Sequence, residues 1–143
     1  MTDTAETDGS ASLEVGVPLY YECDPARRRI TVTSIGAVDL SDALRMIDRQ
    51  AADGAWSYGV LYDARMGFDA PSEEDVRRMI VHVGGVTTKR GPRGPVAFVV
   101  ADAELFKMGS WYASLGNLTA LTVRVFTNLE NAEQWLSTYG GQT

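Results

Sequence analysis

From RRITVTSIG onward, short runs rich in valine, isoleucine and threonine alternate four times with stretches of helical period. No other feature of the chain narrows its fold as much. A strand, a helix-length segment and another strand need a crossover, and such crossovers are right-handed and build parallel sheets. The strand candidates are RRITVTSIG, SYGVLYDAR, PVAFVVAD and LTVRVF. PVAFVVAD is a continuous apolar run, the pattern of a strand covered on both faces. One further strand candidate, VPLYYEC, precedes them and is joined to RRITVTSIG by DPAR, a proline turn too short for a crossover. These two are expected to pair as an antiparallel hairpin.

The segments between the strands carry helix signals. In DLSDALRMIDRQAADG, Leu40, Leu44, Ile47 and Ala51 recur on one face, with Arg45, Asp48 and Arg49 opposite. Asp39 is placed as the N-cap and Gly54 as the stop. The next helix begins around PSEEDV, where Pro71 or Ser72 can start it and three acidic residues meet the positive end of the helix dipole. Its apolar side is Val76, Met79, Ile80, Val83 and Val86, and GPRGP ends it. AELFKMGSWYASLG places Leu105, Met108, Tyr112 and Leu115 on one side, and NLENAEQWLSTYGG places Leu129, Ala132, Trp135 and Leu136 inward. The expected architecture is one α/β domain in the order β-β-α-β-α-β-α-β-α, with a mostly parallel sheet and an N-terminal antiparallel hairpin. Residues 1–14 are polar and acidic, and are expected to be a disordered tail, with the domain covering 15–143.

Length and charge bound the function. A chain of 143 residues, 45% hydrophobic, suits a single domain. Its net charge of −6 offers no basic footprint, so no nucleic-acid partner is expected. The lone cysteine, Cys23, can form neither an internal disulfide nor a thiolate cluster. No apolar run reaches the ~18 residues of a membrane span, the N-terminus has no signal-peptide pattern, and a cytoplasmic protein is expected.

Three separated pieces resemble a known family: YYECDPARRRITVTSIGAVDLSDAL, the strand end GVLYDAR, and PVAFVVADAELFKMGSWYASL followed by VRVFTNLENAEQWL. Together they resemble the small bacterial SpoIIAA-like proteins, a STAS-type group related in fold to the CRAL-TRIO lipid-binding proteins. The spacing of Phe106, Met108 and Tyr112, and the run from Val123 to Leu136 with Phe126, Ala132 and Trp135, are its most specific parts. The resemblance implies a four- or five-stranded sheet with helices mainly on one side. It also implies a partner-switching or interaction role, in which a phosphorylatable serine follows a buried strand and an aspartate. Here Asp63 is followed by Ala64, Arg65 and Met66, and that serine is missing.

Asp63 should emerge at the carboxyl end of its strand, where ligands and partners of parallel sheets gather. With Arg65 and Ser72 it forms a candidate contact surface. The alternative is structural: Asp63 holds loop amides or pairs with Arg65, and Ser72 caps a helix. A phosphate on Ser72 would add a charge of about −1.5 to −2 beside Glu73, Glu74 and Asp75, against favourable docking. His82 falls at the edge of an apolar stripe without a second ligand at helical spacing, so no metal is expected. Cys23 reads as a packing thiol. The clusters Arg27-Arg28-Arg29 and Lys89-Arg90 with Arg93 read as a solvated turn and a helix C-terminus, the alternative being that one of them binds an anionic ligand. Phe106, Trp111 and Tyr112 exceed what one sheet-facing side can take, leaving an aromatic patch for a ligand, a second subunit or the C-terminal helix.

With no nucleophile-base pair, metal set or cofactor fingerprint in view, the chain is expected to be a non-enzymatic STAS-like regulatory or protein-interaction module, a homodimer, without cofactor. The alternative is a carrier or sensor of a small apolar or lipid-like molecule, held between the Phe106 to Tyr112 helix and its neighbour.

Overall fold

The first two strands, β1 (Leu19–Asp24) and β2 (Arg29–Ser34), form the expected antiparallel hairpin, with Cys23 opposite Ile30 and Tyr21 opposite Val32. Its turn is held by the Asp24 carboxylate, which accepts the Arg27 N–H, and by the Arg28 N–H donating to the Pro25 carbonyl. Arg28 takes φ +52°, the left-handed conformation that closes the turn. The computed structural model describes residues 19–36, 38–66, 72–117 and 121–140, with backbone alone at 108, 111, 112, 115–117 and 140. The tail expected over 1–14 lies outside the described residues.

After the hairpin come α1 (Leu40–Ala52), β3 (Gly59–Asp63), α2 (Glu73–Arg90), β4 (Val96–Val99), α3 (Ala103–Asn117), β5 (Val123–Phe126) and α4 (Leu129–Gly140). The strands lie in sequence order, β1-β2-β3-β4-β5, and all pairs after the first are parallel. The described residues thus form a single mixed α/β domain, and its order is compatible with a SpoIIAA-like or STAS-like fold.

Sequential parallel strands with right-handed crossovers put α1, α2 and α3 on the same face, and α4 on the other. Alternation along the strands agrees. Tyr21, Ile30, Val32, Val60 and Val96 share a core with Met46 and Ile47 of α1 and Val83 of α2, while Val125 packs with Ala113 of α3. On the opposite face Leu61, Ala97, Val99 and Phe126 meet Ala132 and Leu136 of α4, with Leu129 and Trp135 beside them, as the inward stripe of that helix requires.

The helix ends follow their sequence signals. Asp39 caps α1 with a capping box, its carboxylate accepting the Asp42 N–H at 2.9 Å, and Gly54 leaves the helix at φ +71°. Ser72 caps α2, its Oγ accepting the Asp75 N–H at 3.0 Å. In α3, Gly109 and Ala113 lie against the sheet with Leu105 packed beside them. A Cβ on Gly109 would stand 3.2 Å from both Val125 methyl carbons, so α3 approaches β5 closely. Its larger partners Met108, Tyr112 and Leu115, expected on this side, have no described side chains.

Candidate functional site

Both α1 and α2 start beyond the carboxyl ends of the strands and return toward their amino ends, as crossover helices do. Between them and the sheet lies a cavity of about 570 Å³. The sheet contributes Val60, Tyr62, Val96, Phe98, Val123 and Val125. Met46 and Ile47 of α1, Met79, Ile80 and Val83 of α2, and Gly109 and Ala113 of α3 close the other sides. Tyr62 and Phe98, neighbours in the β3–β4 register, stack with ring centroids 4.7 Å apart and make the aromatic wall. The Tyr62 hydroxyl is hydrogen-bonded to Ser34, and burial pushes its pKa up to about 12, so it stays neutral. The volume falls inside the ~300–1,000 Å³ range of small-molecule sites, and the walls are mostly apolar, as such sites are.

The two ends of the cavity differ in charge. At the carboxyl edge of the sheet, Asp39 and Ser72 are exposed and Asp75 half-buried, all three on the lining. At the amino edge stands Arg93, from the loop that leads into β4. Its Nε and Nη2 both donate to Oε1 of Gln50, at 3.0 and 2.7 Å, and its guanidinium carbon lies 5.1 Å from the Trp56 ring centre. Gln50 is fully buried and donates from Nε2 to the carbonyls of Ala55 and Trp56. Trp56 in turn donates from Nε1 to the Gly91 carbonyl. Among the described residues no carboxylate pairs with Arg93, and desolvation lowers its pKa to about 10. A partly buried cation is held here by one amide and an aromatic face.

The residues singled out from sequence fall in other places. Asp63 ends β3 on the α4 side, away from the cavity lining, and its carboxylate is occupied by Arg65: Nε and Nη2 donate at 2.9 and 2.8 Å and the Arg65 N–H at 3.1 Å. These bonds hold the Asp63 carboxyl below its ordinary range. Ser72 is the helix cap of the structural alternative and also rims the cavity. Phe106 is half out in solvent, at 39% exposure, and is not on the cavity lining. The side chains of Trp111 and Tyr112 lie outside the described residues. Of the helix expected to flank a ligand, Gly109 and Ala113 are the described residues that meet the cavity.

Two readings change. The Arg27-Arg28-Arg29 cluster is not simply a solvated turn: the Arg29 side chain is 10% exposed and pairs with Glu133 of α4, and Arg28 donates to Ser57 Oγ and lies over the Tyr58 ring. Arg93 is not part of a solvated helix end, although Lys89 and Arg90 are in the last turn of α2. Cys23 is the packing thiol expected: it lies against the core, and burial with the carboxylates of Asp53 and Asp24 pushes its pKa up. His82, at the α2 boundary as expected, contacts Asp48 of α1 through Nε2 at 2.7 Å.

Gln50 and Trp56 escaped sequence reading for a physical reason. A glutamine on a helix and a tryptophan in a loop are ordinary residues until the fold sets them around an arginine that lies 43 positions beyond Gln50. The one signal available was GPRGP, an arginine flanked by residues that limit the backbone.

Among the described residues no cluster of three or more His, Cys, Asp or Glu side chains is placed to hold a metal, and no helix is long and apolar enough to cross a membrane. Compared with known proteins, the chain matches no family model, no curated protein and no solved structure.

Proposed function

We propose that this protein is a non-enzymatic binding module of SpoIIAA-like type that holds a small apolar molecule between its sheet and helices α1 to α3. The observation that carries this reading is the cavity of about 570 Å³ with its Tyr62–Phe98 wall. Leaving so much apolar surface uncovered forfeits packing that a protein core normally makes, so an apolar occupant gains what the fold leaves open. The test is titration with a neutral fluorescent apolar dye, with native mass spectrometry of protein purified from its own cells. Saturable dye binding, abolished by filling the cavity with Ala43→Phe while the circular dichroism spectrum is kept, supports it. Dye binding that survives Ala43→Phe, or no binding at all, defeats it.

A second reading, a regulatory module that meets a protein partner or a second copy, is favoured by a different observation. Ile35 and Met66, just past the carboxyl ends of the adjacent strands β2 and β3, are 43% and 71% exposed, and Met66 follows directly on Arg65. Both follow strand ends at the carboxyl edge that also carries the Asp63–Arg65 pair, where exposed apolar side chains suit a contact. If it is a contact, Met66→Asp lowers the apparent mass in light scattering or removes a captured partner. An unchanged monomer with no partner counts against it.

A further inference from the structure

We infer that the occupant of the cavity is an apolar carboxylate, its acid group held by Arg93 and its hydrocarbon or aromatic body lying along the Tyr62–Phe98 wall. The inference rests on the proposed binding function and adds the chemistry of the ligand.

The geometry of the guanidinium carries it. Arginine has five N–H donors in a plane. Gln50 Oε1 takes the pair on the Nε–Nη2 side, which leaves the parallel N–H groups of the outer Nη1–Nη2 edge and a third on Nη1. Two parallel donors are the match for the two oxygens of a carboxylate. Gln50 brings no charge, since its oxygen belongs to a neutral amide, and the Trp56 face adds only a weak attraction for a cation. Asp53, three residues after Gln50, already accepts the Tyr21 hydroxyl at 2.7 Å and lies within 3.5 Å of Arg49. A partly buried cation without a counter-ion among the described residues is costly, and an anionic ligand would supply that charge.

The far end of the cavity fixes direction. Asp39 and Asp75 line it, and the Asp39 and Gln50 positions on α1 are about 16 Å apart at the helical rise per residue. An acid group placed there meets like charge. At Arg93 it meets the fork.

The experiment compares dodecanoate, 1-dodecanol, dodecylamine and dodecyl phosphate as competitors of the neutral dye, on the wild-type chain and on Arg93→Gln. The expected result is that wild type prefers the acid to the alcohol by roughly tenfold or more, as for an enclosed charge pair. Arg93→Gln then brings the two within about threefold while alcohol affinity stays put. The wild-type comparison stands by itself if Arg93→Gln does not fold. Equal binding of acid and alcohol, or tighter binding of the amine, overturns the inference and leaves the binding function standing. Arg93-dependent binding of the phosphate in clear preference to the carboxylate overturns the choice of head group. No competition by any of the four, with no dye bound, removes both the inference and the function beneath it.

Discussion

Arg93 and Gln50 meet through a single oxygen: the guanidinium donates from Nε and Nη2 to Oε1 at 3.0 and 2.7 Å, and the amide nitrogen of the same side chain donates to Ala55 and Trp56. One buried side chain therefore links the end of α1, the loop before β3 and the loop before β4. Its shape does two things at once, holding the cation in place and giving it no charge to cancel.

Removing that link should be expensive. Gln50→Leu keeps the volume; the Ala55 and Trp56 carbonyls retain the Tyr58 and Gly94 N–H groups, but the partly buried Arg93 guanidinium loses its acceptor. An unsatisfied buried polar group costs ~1–3 kcal/mol and more when charged, so a loss of about 3 kcal/mol is expected. Urea unfolding followed by tryptophan fluorescence measures it. A loss under about 0.5 kcal/mol would mean that water replaces the amide without penalty.

The loop that presents Arg93 allows no side chain at its next residue. A Cβ on Gly94 would stand 2.1 Å from the Tyr58 carbonyl oxygen and 2.5 Å from that of Ser57, both backbone atoms. The Gly94 N–H also donates to the Trp56 carbonyl at 2.9 Å, so the two loops are tied. Gly94→Ala is expected to destabilise by about 3 kcal/mol or more, the range where backbone clashes and strain exceed ordinary surface effects. Expression with a lowered melting temperature and loss of dye binding is the expected outcome. A stable Gly94→Ala protein contradicts this close approach.

Much of the fold was readable because local signals agreed with each other. The apolar run PVAFVVAD became β4 with Ala97 and Val99 on one face and Val96 and Phe98 on the other, and Asp39 and Ser72 capped the helices they precede. The site was less legible. Asp63 drew attention through its place at a strand end, yet the adjacent Arg65 satisfies it, a pairing that two-residue spacing allows but does not demand. Arg29 and Arg93 looked like surface charges because a sequence shows charge and not enclosure; Glu133 and Gln50, 104 and 43 residues away, decide their environments. A cavity is harder still, being defined by what the α1 and α2 side chains fail to reach.

Helix α2, which covers the cavity, carries Gly84 and Gly85 in its interior, and a Cβ at either would meet nothing within 4 Å. No packing reason retains them, and glycine in a helix costs roughly 0.5–1 kcal/mol relative to alanine. Gly84→Ala with Gly85→Ala should therefore raise stability by about 1–2 kcal/mol, seen as a higher melting temperature. A stiffer cover should also slow release of the dye in stopped-flow displacement. Unchanged release with raised stability would show that the ligand does not leave past α2.

The Asp63–Arg65 pair gives a pH signature. Hydrogen bonding from Arg65 lowers the folded-state pKa of Asp63, with burial opposing it. A carboxylate whose pKa is lower in the folded chain stabilises above its unfolded value of about 3.9, and that contribution disappears as pH falls through the folded value. Because Arg65 is well exposed, screening keeps the pair to a few tenths of a kcal/mol, at most about 1. Wild type should exceed Arg65→Met in stability by that amount at pH 7 in low salt, and the gap should shrink as pH falls below the unfolded value toward the folded one, or in high salt. Denaturant unfolding of both proteins at pH 7 and at pH 3 measures the difference. A gap that persists undiminished at pH 3 would assign the role of Arg65 to packing of its stem instead of to charge.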